Sequence, residues 1–147
     1  MKFSNPNHFG RIYSLVGIFC LTLFLQSCAT KYAFNNSFVV PAAEGSVKVK
    51  KDKNNNYKVV LDVKRLADPS RLNPSKAVYV VWMETKQDGT KNIGQLRTSG
   101  NLLSHELKSS LKTESSSKPV SFFITAEDNA GIQYPEGQEV LRTNHSR

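Results

Sequence analysis

The stretch from Val47 to Lys64 alternates so regularly that it leaves few folds open. Val47 and Val49 alternate with Lys48 and Lys50. After the polar triplet Asn54-Asn55-Asn56, Tyr57, Val59, Leu61 and Val63 alternate with Lys58, Val60, Asp62 and Lys64. Successive side chains on a strand point to opposite faces, so a period of two describes a strand with one face on a core and the other in water. With the Asn triplet as its turn, the segment reads as a β-hairpin. The apolar set is directed inward. Lys48, Lys50, Lys58 and Lys64 are left pointing outward with Asp62 the one acid among them, and Lys51 and Lys53 add charge near the turn.

Further strands follow. Leu66 to Lys76 carries Asp68-Pro69 and Asn73-Pro74, and two prolines forbid a regular central strand, so it reads as a long connection. Ala77-Val78-Tyr79-Val80-Val81-Trp82-Met83 is apolar on both faces and reads as a central strand covered on both sides. Gln87-Asp88-Gly89-Thr90 is a hairpin turn, because Asp-Gly tolerates positive φ, with Lys91 to Thr98 as the return strand. Leu102 to Leu111 fits helical spacing or a strand, and its neighbours favour a strand. Val120 to Glu127, with Phe122, Ile124 and Ala126 on one face, and Gln138 to Thr143 complete the series. About seven short strands and no clear helix predict an all-β fold, a two-sheet sandwich.

The first 27 residues read differently. Met1 to Tyr13 is polar and carries Lys2 and Arg11; Leu15 to Leu25 is apolar. This apolar run of about 11 residues falls short of the roughly 20 that a helix needs to cross a bilayer. A basic start, a short apolar run and small residues at its end describe a signal peptide. Leu25-Gln26-Ser27-Cys28 resembles the lipobox of bacterial lipoproteins, with Gln26 a departure from the small residue more usual there. That resemblance implies diacylglycerol on the Cys28 sulfur, cleavage before Cys28 and further acylation of the new amine. It also implies a membrane partner through that lipid. Ala29 in place of an acid implies the outer membrane, facing the periplasm. Cys20 lies in the leader and no cysteine follows Cys28, so a disulfide does not hold the folded part.

The expected organisation is a signal peptide over 1–27, a lipidated tether over 28–44, a β-sandwich over 45–143 and a tail over 144–147. Phe34, Phe38, Val39 and Val40 complicate the tether, since they could form a first edge strand.

The central hairpin carries a second resemblance. Tyr79-Val80-Val81-Trp82-Met83, Asp88-Gly89 and Gly94-Gln95-Leu96 resemble the extracytoplasmic domain of anti-sigma-K-type factors. So do Phe123-Ile124-Thr125-Ala126-Glu127, Pro135 with Gly137, and Val140-Leu141. The likeness runs from about Val47 to Leu141 and implies an immunoglobulin-like β-sandwich. It does not imply sigma-factor binding, which in that family belongs to a cytoplasmic helical domain.

The net charge is +8, and +6 from Cys28 onward, because Lys2 and Arg11 leave with the leader and no acid does. That is less basic than a dedicated nucleic-acid binder, and export argues against nucleic acid as a partner. Anionic lipid, acidic polysaccharide or an envelope protein suits a basic exported chain better, although such charge also serves solubility. Catalytic constellations are not apparent: of His8, His105 and His145, only His105 falls where an ordered site is expected. No His or Cys spacing suits zinc, and neither a nucleophile elbow nor a phosphate loop occurs. Glu127 and Asp128 are adjacent and would point to opposite faces of a strand. No catalytic residue, metal or cofactor is therefore expected. Trp82 reads as core, with a ligand platform as the alternative. The resulting expectation is a non-catalytic envelope lipoprotein with an interaction or structural module. An accessory of envelope-stress signalling is the alternative, and an envelope enzyme the more distant one.

Overall fold

The computed structural model describes residues 29–101 and 104–144. Its strands are β1 Thr30–Ala33, β2 Glu44–Lys51, β3 Tyr57–Lys64, β4 Val78–Thr85, β5 Gly89–Gln95, β6 Arg97–Asn101, β7 Ser104–Ser115, β8 Pro119–Glu127 and β9 Gln138–Arg142. They form two antiparallel sheets, a larger one ordered β1-β2-β3-β7-β6 and a smaller one ordered β5-β4-β8-β9. With β1 set aside, this is the strand order of an immunoglobulin sandwich, A-B-E-D on one sheet and C′-C-F-G on the other.

Alternation builds the core. Val47, Val49, Val59, Leu61 and Val63 from the larger sheet meet Tyr79, Val81, Met83, Phe122, Ile124 and Ala126 from the smaller, all buried. The connection over residues 65–77 holds one 3-10 turn, Pro69–Arg71, whose first amide is capped by the Asp68 carboxylate accepting from Ser70 N at 2.9 Å. Phe122, Ile124 and Ala126 share the inner face, as the sequence predicts.

The all-β, two-sheet sandwich expected from about seven strands is present, with nine strands among the described residues. Two other sequence expectations need correction. The segment expected as a tether is built into the sandwich from Thr30 onward. β1 pairs with β2, Tyr32 is buried with its ring edge on Phe122 at 5.3 Å, and Phe34 bridges to Thr143 beside the end of β9. Residues 35–43 continue the packing, with Ser37 Oγ accepting from the Val39 and Val40 amides and with Val40 and Ala43 buried. Four residues of strand are too few for periodicity to declare, and the edge of β2 supplies the pairing that the local sequence does not. The return strand expected over Lys91 to Thr98 also divides. β5 stays beside β4, the chain crosses at Leu96, and β6 joins the other sheet. Gly94 permits the crossing: its φ is 130°, and a Cβ there would lie 3.1 Å from the Leu111 side chain. Leu102 and Leu103 lie outside the described residues, and the rest of the ambiguous stretch is strand β7.

Trp82 is fully buried, yet outside the main core. It lies on the outer face of the smaller sheet with Val80 and Phe123, stacked on the Phe123 ring at 6.1 Å and 16°. Residues 128–137 cover it, with Ile132 against the cluster. Asn92 Nδ2 donates to the carbonyls of Ala130 and Ile132, both at 2.9 Å. Beneath the loop, Trp82 Nε1 donates to Thr125 Oγ1 at 2.7 Å. The Thr125 hydroxyl donates to Glu127 Oε1 at 2.6 Å, and that carboxylate also accepts from Glu136 N.

Candidate basic surfaces

The two outer faces of the sandwich are unlike. That of the smaller sheet is closed by the loop over Trp82 and by Arg142. The Arg142 guanidinium lies 4.2 Å from the Phe123 ring centroid and pairs with Glu84 at 3.0 Å and Glu139 at 2.6 Å. Those carboxylates hold Arg142 charged, Glu139 most strongly, against the opposing effect of burial. The face is internally satisfied.

The outer face of the larger sheet is open and basic. Lys48, Lys50, Lys58 and Lys64 all point outward and are exposed, as the alternation requires. The register adds Lys31 opposite Lys48, Lys108 opposite Lys64, and Lys112 opposite Val60. Directly opposed residues have Cβ atoms about 4.5–5.5 Å apart, and like charges there are unfavourable. Lys31 with Lys48 and Lys50 with Lys58 are two such pairs. The acids offset them incompletely. Glu114 meets Lys58 at 3.6 Å with both side chains more than half exposed, an arrangement worth little in water. Glu44 pairs with Arg65, and Asp62 sits between Ser46 and Ser110. A sheet face that sets lysines opposite one another forgoes stability that mixed charges would supply.

A second basic feature lies at one end of the sandwich. Residues 52–56, 86–88 and 116–118, the turns after β2, β4 and β7, surround a cleft of about 450 Å³ bearing Lys51, Lys86 and Lys118. Tyr57, Pro119 and Val120 form apolar wall, and Asn55, Gln87 and Ser116 contribute polar groups. Lys51 Nζ lies 5.8 Å from the Tyr57 ring centroid. The acids near this rim are engaged. Asp52 accepts from the amides of Asn54 at 2.8 Å and Asn56 at 2.9 Å, fixing the turn. Asp88 pairs with Lys91 at 2.9 Å and with the Ser117 hydroxyl; the hydroxyl first and Lys91 second hold its carboxyl below the usual range. Among the described residues, Lys51, Lys86 and Lys118 have no carboxylate within ion-pair distance. Thr30, the first residue of β1, shares an adjoining recess with Lys51, Tyr57, Lys118 and Pro119.

The other residues singled out in the sequence do not assemble. Glu127 is buried in the network beneath Trp82, while Asp128 is exposed and pairs with Lys76 at 2.7 Å. The two acids therefore diverge. His8, His145 and the lipobox residues Leu25, Gln26, Ser27 and Cys28 lie outside the described residues, as does the His105 side chain. Among the described residues, no group of three His, Cys, Asp or Glu side chains converges, and no helix is long and apolar enough to cross a membrane.

Sequence reasoning placed the four face lysines and the charge of Lys51, but missed Lys86 and Lys118. Each stands alone in a turn, and only the folding of three distant turns to one end joins them. Comparison with protein-family models, curated proteins and solved structures finds no match to this chain.

Proposed function

We propose that this chain is a non-catalytic envelope lipoprotein, lipidated at Cys28, whose β-sandwich presents the lysine face of its larger sheet to an acidic polymer of the cell envelope. The observation that carries the partner is the set of lysines opposed to lysines across β1, β2 and β3. An anionic ligand spanning those strands would neutralise repulsion that the fold leaves in place. The anchor rests on the lipobox at Leu25-Gln26-Ser27-Cys28 behind a short apolar leader. Two or three acyl chains give a stable anchor where one is marginal.

The start of β1 bears on which acidic partner suits the face. Thr30 is the second residue after Cys28, and two extended residues span at most about 7 Å. Lipid on Cys28 would therefore hold the Thr30 end of the sandwich at the bilayer, with the lysine face turned sideways. Along β2, residue 44, opposite Lys64, is six positions from Lys50, about 20 Å at 3.4 Å per residue. Lys64 would then stand well beyond a Debye length of about 8–10 Å from the surface. Lys31, Lys48, Lys50 and Lys58 lie nearer the anchored end, so the face runs outward from the surface, and an acidic polysaccharide extending away from the bilayer would engage its whole length where the lipid would not.

Two measurements test the reading. Cys28→Ala should abolish fatty-acid labelling and release the protein from the membrane fraction; continued labelling would refute the anchor. The wild-type chain should bind polygalacturonate in a salt-sensitive way, and combined Lys48→Glu, Lys50→Glu, Lys58→Glu and Lys64→Glu changes should remove that binding. Undiminished binding by the changed protein would return these lysines to a role in solubility. The signalling alternative would need a sigma-factor gene alongside this one.

A further inference from the structure

Deepening that reading, and resting on lipidation at Cys28 for its access to the bilayer, we propose that the end cleft of the sandwich binds the phosphate-bearing headgroup of an anionic lipid. Lys51, Lys86 and Lys118 are the charges that select it.

Three independent features meet there. The first is charge without local compensation. Three lysines line the cleft with no ion-pair partner among the described residues, while Asp52 and Asp88 are tied to backbone amides, Ser117 and Lys91. Ammonium groups serve phosphate as point charges, without the fixed fork that arginine brings to a planar carboxylate. The second is shape and lining. About 450 Å³ lies within the range of small-ligand sites, roughly 300–1,000 Å³. Asn55, Gln87 and Ser116 supply hydrogen-bonding groups for a polar head, and Tyr57, Pro119 and Val120 supply surface for the first methylenes of a lipid. The third is position. Thr30 borders the adjoining recess with Lys51 and Lys118, and at most about 7 Å of chain joins it to the acylated cysteine. The anchor would thus deliver this cleft to the headgroup layer, while the far end of the sheet face at Lys64 stays away from it. The bound lipid would fix the tilt of the sandwich on the membrane and hold its lysine face in the surrounding envelope.

The test uses the full chain, isolated from whichever cell fraction holds it, kept in neutral detergent and followed by amide NMR at Asn55, Gln87 and Ser116. It is titrated with dihexanoyl phosphatidylglycerol, dihexanoyl phosphatidylcholine, inorganic phosphate and polygalacturonate. The anionic lipid should shift these amides saturably, at least about tenfold more tightly than the neutral lipid or phosphate alone, as expected for several lysines each contributing near a charged headgroup. Combined Lys51→Gln, Lys86→Gln and Lys118→Gln changes should weaken it by about tenfold or more. Lys48→Gln, Lys50→Gln and Lys64→Gln together should alter it less than about twofold. If the cleft variant loses its dispersed spectrum, Lys86→Gln alone, in an exposed turn, should still weaken binding measurably. Equal response to neutral and anionic lipid would overturn the proposal. So would phosphate binding as tightly as lipid, polygalacturonate displacing lipid from these amides, or a loss produced by the face variant instead. The titration needs no anchor. Failure of lipidation is read separately from fatty-acid labelling, and failure of the site from these shifts.

Discussion

Replacing Trp82 with Ala isolates the small second core on the outer face of the smaller sheet. Trp82 is 0 % exposed, stacks on Phe123 and lies beneath residues 128–137. Truncating a buried Trp to Ala costs about 3–5 kcal/mol. The indole N–H leaves with the ring, so Thr125 Oγ1 loses a donor but keeps its bond to Glu127. That adds about 1 kcal/mol. The expected loss is therefore about 4–6 kcal/mol, a large share of the 5–15 kcal/mol that holds a typical domain. Trp82→Phe keeps the stack on Phe123 and should lose about half as much. Urea unfolding followed by circular dichroism measures both, since the variants lack the chain's only Trp. Native emission should be that of an indole shielded from water. A loss below about 1 kcal/mol for Trp82→Ala, together with water-exposed emission of the wild type, would refute the second core and make Trp82 a surface platform.

Gly137→Ala places a Cβ 1.8 Å from the Ala126 carbonyl oxygen, so the covering loop must shift; a loss of about 1–3 kcal/mol in urea unfolding is expected. Burial pushes the Tyr79 hydroxyl up to about 12, with Asp68 adding to the rise. The unfolded chain gives up this proton first, near its ordinary value of 10.0, so stability should fall as pH rises from there towards 12. Tyr79→Phe should flatten that part of the profile. Lys50→Glu sets an acid opposite Lys58, so stability should rise by about 0.2–1 kcal/mol while polygalacturonate binding weakens. A variant that loses both would contradict the view that this face trades stability for binding.

How far the sequence could be read depended on whether a residue's neighbours lay close in the chain. The β2–β3 hairpin, its inward valines and its outward lysines follow from local alternation, and the sheet register simply extends them. The two-sided apolar character of β4 and the inner face of β8 were also legible. What covers their outer face was not, because the loop over Trp82 is polar in sequence and is held there by Asn92 and Glu127. β1 escaped because four residues carry no usable period, and its burial depends on Phe122 and Pro119, far along the chain. The division of the return strand turned on one backbone position, Gly94, that a strand pattern does not reveal. The lysine cleft was invisible for the same reason as β1: its three turns are brought together only by the folding of both sheets.

The proposed anchor requires that the mature protein begin at an acylated Cys28. The most direct measurement is the mass of its N-terminal peptide, taken from protein purified out of the membranes of the native cell. The expected peptide starts at Cys28 and carries diacylglycerol on the sulfur. A mature chain that starts elsewhere, or that starts at Cys28 without lipid, would contradict it.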